Sequence, residues 1–106
     1  MIDWTRVAEL REEIGPEDFS EVVDIFLEEV DAAVEAINDN STSLEDKLHF
    51  LKGSALNLGF NAFSDLCQDG ETRAGQGEEF DTRDVVTCYH KSRIAFVKGL
   101  TQKFAA

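Results

Sequence analysis

Apolar residues recur along most of this chain at intervals of three and four, the period of a helix buried on one face. Val7, Leu10 and Ile14 follow Trp4 at that spacing, and Asp3 stands where an N-cap belongs, so residues 3–14 predict a first helix. Gly15-Pro16 ends it, and Pro16 suits the first turn of a second helix running to about Asn38. Phe19, Val22, Val23, Phe26, Leu27, Val30, Val34 and Ile37 make up the stripe of that helix, with Asp and Glu on its other face. Asn38-Asp39-Asn40-Ser41 is a polar turn cluster, and Thr42-Ser43-Leu44-Glu45 has the capping-box pattern that opens a third helix. Gly59 suits the left-handed position at its end. A fourth helix from near Asn61 carries Phe63, Leu66 and Cys67. Gly70, Gly75 and Gly77 weaken its second half, and residues 75–79 read as the longest loop. Val85, Val86, Tyr89, Phe96, Leu100 and Phe104 define a fifth helix, from Asp81 or Thr82 to about Lys103.

One proline, seven glycines and little β-type alternation in 106 residues predict an all-α fold. That length is one small domain, residues 1–106, with room for one core and no internal repeat. Short connections favour antiparallel neighbours. The expected architecture is an antiparallel up-and-down four-helix bundle with an additional N-terminal helix as a lid.

Charge changes the picture more than composition does. The net charge is −12, yet residues 1–46 hold 15 acidic and 2 basic side chains, while residues 47–106 hold 7 and 8. Such an acidic surface argues against nucleic acid and against anionic membranes as partners. The N-terminus lacks the basic start and apolar run of a signal peptide, and no stretch is long and apolar enough to span a membrane. A cytoplasmic, stand-alone protein is the expectation. Cys67 and Cys88 are expected as free thiols in or near the core, and no metal-ligand spacing is present.

The candidate chemistry lies on the third helix. With each residue advancing about 100° around the axis, Leu44, Leu48, Leu51, Ala55 and Leu58 share one core-facing stripe. His49 then points roughly 140° away from the stripe centre, towards solvent. Lys52 and Gly53 follow on its own side, at about 60° and 40°. Gly53 costs a mid-helix position about 1 kcal/mol relative to alanine, which implies a gain elsewhere, such as close approach by another molecule. Leu56 is apolar on an exposed face, one further turn along, which fits a docking contact. The other imidazole, His90, reads as structural or solvated beside the core residue Tyr89.

The stretch His49-Phe50-Leu51-Lys52-Gly53-Ser54-Ala55, with Gly59 four residues further on, resembles the signature of histidine phosphotransfer (HPt) domains of multistep two-component phosphorelays. The resemblance covers every signature position, and the size and all-helical class agree with it. It implies that His49 accepts a phosphoryl group on Nε2, that Lys52 stabilises it and that Gly53 leaves room for a partner. It also implies a polar residue on the following helix bonded to Nδ1 of the imidazole, at Glu71, with Gln68 one turn earlier. The implied partners are a response-regulator receiver domain and a sensor or hybrid histidine kinase, docking near Leu56 and Phe50. The chain has neither a Gly-rich nucleotide loop nor a kinase signature set, so it is not expected to use ATP. No cofactor of its own is implied; an aspartate and its Mg²⁺ would come with the receiver. The alternative is an adaptor that uses the same face for docking and never carries phosphate.

Overall fold

The structure is a computed structural model that describes residues 1–104. Five helices make up the fold: α1 (Trp4–Ile14), α2 (Phe19–Glu35), α3 (Leu44–Leu58), α4 (Asn61–Gly75) and α5 (Thr82–Phe104). Among the described residues there is no strand, only an isolated bridge between Ile2 and Phe60.

Helices α2 to α5 run up and down around one core, which cross-helix pairs establish. The Glu45 carboxylate lies against Gly75, His49 meets Glu71, and Lys52 meets Gln68, so α3 and α4 are antiparallel. Thr82 reaches Asn38 while Phe104 packs on Phe19, so α5 runs antiparallel to α2. Leu48, Leu51, Ala55 and Leu58 of α3 are buried, as the spacing predicts, with Val23, Leu27, Val30 and Val34 of α2. Each of these fully buried leucines and valines contributes about 1.5–3 kcal/mol. Phe60, buried in the turn between α3 and α4, meets Phe96 edge-on. Helix α1 closes one end of the bundle, with Trp4 stacked on Phe96 of α5 and the Arg11 guanidinium over Phe104.

Three boundaries differ from the sequence reading. Helix α2 starts at Phe19, not at Pro16. Gly15 takes a positive φ, and its carbonyl accepts the Asp18 amide, so residues 15–18 close a turn first. At the other end α2 stops at Glu35, and Lys47 donates to the carbonyls of Ile37 and Asp39 beyond it. The α3 N-cap is Ser43, whose Oγ accepts from the Asp46 amide. This shifts the capping pattern by one residue from Thr42-Glu45.

The glycines of α4 do not interrupt it, and the helix runs unbroken to Gly75. Gly70 is the seat for another side chain: a Cβ there would lie 2.5 Å from the Phe80 ring and 2.9 Å from Leu48. Gly59 has φ +77°, and a Cβ would fall 2.7 Å from the Asp3 carbonyl oxygen. The Asp3 amide donates to the Gly59 carbonyl, and the Asn61 amide to that of Met1, so the N-terminal segment ties down the α3–α4 turn. Gly59→Ala therefore meets left-handed strain, about 1–2 kcal/mol, together with a backbone clash. Its urea midpoint falls by the equivalent of at least that amount; an unchanged midpoint would contradict the tie.

Candidate functional site

The α3–α4 hairpin brings four polar side chains of the sequence reading into one cluster. His49 leaves the solvent face of α3, with its side chain 70% exposed. Its Nδ1 lies 2.6 Å from Oε2 of Glu71 on α4. Lys52, one turn after His49, donates to the other oxygen of Glu71 at 2.6 Å and to Oε1 of Gln68 at 3.0 Å. Gln68 is held in turn by a bond from its Nε2 to Thr72 Oγ1 at 3.1 Å. Thr72 was not singled out in the sequence, although its i+4 spacing from Gln68 is the signal that would find it.

Electrostatics assign the proton. The Lys52 ammonium bonded to Glu71 pulls its carboxyl below the ordinary carboxylate range against a partial desolvation, and the His49 contact adds to this. An ionised carboxylate only accepts hydrogen bonds. Nδ1 of His49 is therefore the protonated nitrogen, and in the neutral ring the lone pair is on Nε2, which has no partner among the described residues. A folded-state shift downward means that the bridge is fully present above the ordinary Glu range, near pH 4.3. It is lost only as pH falls through the depressed value.

Gly53 borders this cluster, and nothing of the chain lies within 4 Å of where its Cβ would be. Its missing side chain thus serves no internal contact, unlike those of Gly59, Gly70 and Gly99. Leu56 is 56% exposed, one turn beyond. Phe50 is half exposed but faces the other way, into a shallow groove of about 210 Å³ shared with Phe26, Glu29, Ser54 and Asn57. The two apolar residues therefore flank the imidazole from different sides. His90 lies on α5, away from this cluster, exposed and ring-to-ring with Tyr89 at 5.7 Å. Cys67 is buried and Cys88 half-buried, and both are free. Burial pushes the Cys67 thiol up to about 12, away from thiolate chemistry.

The bundle presents an oriented imidazole beside a lysine and an open glycine. The Hpt domain family model matches residues 21–92, and the chain belongs to that family. It is a histidine phosphotransfer protein of a phosphorelay, and its partners belong to two-component systems. Among its relatives are the phosphorelay protein LuxU of Vibrio vulnificus strain YJ016 and that of strain CMCP6. Each is 33% identical over 113 residues, covering 98% of this chain and 98% of the relative. No solved structure matches the chain significantly. Among the described residues, no helix is long and apolar enough to cross a membrane.

Proposed function

We propose that His49 carries the phosphoryl group, on Nε2, and passes it between receiver domains or from a hybrid kinase to a receiver. The observation that carries this reading is the 2.6 Å contact between Nδ1 and Glu71, which leaves the exposed Nε2 as the nucleophile. The Nε2 lone pair attacks the phosphorus of an aspartyl phosphate on the partner. The P–O bond of the mixed anhydride breaks, the aspartate leaves as carboxylate, and an N–P bond forms. Positive charge develops on the ring, and Glu71 stabilises it without taking the Nδ1 proton. Onward transfer is the reverse with a second aspartate.

Each neighbour has a part in this reading. Lys52, already at Glu71, can turn towards a phosphoryl oxygen and offset the charge of about −2 that phosphorylation adds. Gly53 leaves the path to Nε2 open. Leu56 and Phe50 provide apolar contacts for the receiver. The aspartate and Mg²⁺ come from that partner, since phosphoryl transfer mostly needs positioning and charge neutralisation, and this chain supplies half of each. The reading places the protein in the cytoplasm, where receivers and kinase transmitter regions meet.

The test is the position of the label. Protein labelled with ¹⁵N-histidine is phosphorylated by a phosphorylated receiver, and ³¹P–¹⁵N coupling locates the bond. Coupling to Nε2 of His49 is expected. Coupling to Nδ1, or to either nitrogen of His90, would overturn the assignment.

A further inference from the structure

A lysine ammonium offers three N–H donors and no acceptor. At Lys52 two of these donors are taken, by Oε1 of Glu71 at 2.6 Å and by Oε1 of Gln68 at 3.0 Å. Both acceptors belong to α4. Tetrahedral geometry at Nζ then fixes the third N–H, which points away from them and has no acceptor among the described residues. The carboxylate that takes the first bond also takes Nδ1–H of His49, through Oε2 at 2.6 Å. Imidazole and ammonium thus hang on the two oxygens of one group, close enough for a phosphoryl oxygen carried on the ring to meet the third N–H.

Glu71 alone would leave the ammonium free to spin about its bond to that oxygen. The Gln68 carbonyl stops the spin. Gln68 is exposed on α4, where a glutamine is ordinarily solvated and samples many rotamers. Here its Nε2 donates to Thr72 Oγ1 at 3.1 Å, one turn on, which holds the amide with its carbonyl towards Lys52. A flipped amide would set N–H against N–H, since lysine has only donors. The neighbouring carboxylate does not compete for the ammonium, because Asp69 is engaged by Arg73 at 3.1 Å. Lys52 is 21% exposed against 70% for His49, so the ammonium lies on the protein side of the imidazole and a phosphoryl group arrives from the solvent side.

We propose that Gln68, held by Thr72, is a positioning residue for phosphoryl transfer: it aims the third N–H of Lys52 at a phosphoryl oxygen on Nε2 of His49. The inference rests on His49 as the acceptor. Gln68 does not touch the phosphoryl group and acts through Lys52, whose turn towards the phosphate is then small and keeps both bonds to α4. Gln68→Met preserves length and helix propensity but removes the acceptor. Single-turnover transfer from a phosphorylated receiver should slow about 3- to 10-fold, the worth of one hydrogen bond, with receiver affinity and circular dichroism unchanged. Thr72→Val should slow it about 2- to 3-fold, and Thr72→Ser, which keeps the hydroxyl, should transfer at the native rate. In a Lys52→Met background the further change Gln68→Met should have no effect, because nothing is left to aim. A second readout needs no phosphate: the ¹⁵N-lysine ammonium signal of Lys52 should be resolved in the native protein and lost to water exchange in Gln68→Met. Its failure is therefore distinct from failure of the His49 reading, which the position of the label decides. A Gln68→Met loss that persists in the Lys52→Met background, or that takes the form of weaker receiver binding, would show a direct contact with the partner and overturn the proposal. So would native transfer, or an unchanged ammonium signal, in Gln68→Met.

Discussion

His49→Gln removes acid-labile phosphate from the protein and leaves its fold unchanged. The side chain is 70% exposed on a helix surface, and glutamine is at least as good a helix former. The substitution also keeps a donor: the glutamine amide can still reach Glu71, so the Lys52–Glu71 pair is not stranded. Stability is expected to stay within about 0.5 kcal/mol, the range of surface changes away from special features. What disappears is the ring nitrogen with its lone pair, because an amide nitrogen is not a nucleophile. Labelling from a phosphorylated receiver should drop to background, at least about 1,000-fold. Glu71→Gln should behave differently. It retains an acceptor for Nδ1–H but loses the negative charge that stabilises the developing imidazolium, so transfer slows about 10- to 100-fold without vanishing. Measuring both variants separates the acceptor from the residue that orients it. Equal losses in the two, or residual His49→Gln labelling at the wild-type rate, would remove the basis for this assignment.

The parts of the site that could be read from the sequence are those decided within one helix. Helical periodicity alone turns His49 away from Leu48, Leu51 and Leu58, and the structure buries these three while exposing the imidazole. Glu71 is 22 residues away, and only the resemblance to a known family pointed to it. Contacts decided across helices were the ones missed. Gly70 looked only like a weak point of its helix because its partners, Phe80 and Leu48, lie outside that helix. Asp31 looked like one more solvated carboxylate on an acidic face. Burial alone would raise its pKa, yet the hydrogen bonds from Tyr89 and Arg93 hold it below the ordinary range. The start of α2 was misplaced because a proline is equally at home in a turn and at N1, and the Gly15–Asp18 bond that decides between them is not visible in composition.

The same substitution at two helix-interior glycines should have opposite consequences. At Gly53 a Cβ meets nothing within 4 Å, so Gly53→Ala should stabilise the fold by up to about 1 kcal/mol, the difference in helix propensity. At Gly99 a Cβ would lie 2.0 Å from Cζ2 of Trp4, whose ring stacks on Phe96 at 6.0 Å. Gly99→Ala must push that ring out. Overpacking of this kind costs about 1–3 kcal/mol, enough to outweigh the same propensity gain. Trp4 is the sole tryptophan, so intrinsic fluorescence reports the event directly, as a red shift of emission in the folded state. Function should divide the other way. Gly99 lies on α5, remote from the His49 cluster, so Gly99→Ala that remains folded should transfer phosphate at nearly the native rate. The Gly53 methyl would stand on the face of α3 that carries His49, one turn further on, and narrow the open space an incoming aspartyl phosphate uses, where a misplacement of about 1 Å costs on the order of 100-fold. Gly53→Ala should therefore be the more stable protein and the poorer relay, by about 10- to 100-fold in transfer rate. Native transfer in Gly53→Ala would show that the gap is not needed for approach. A stability loss there would show that the glycine serves a contact within the chain after all.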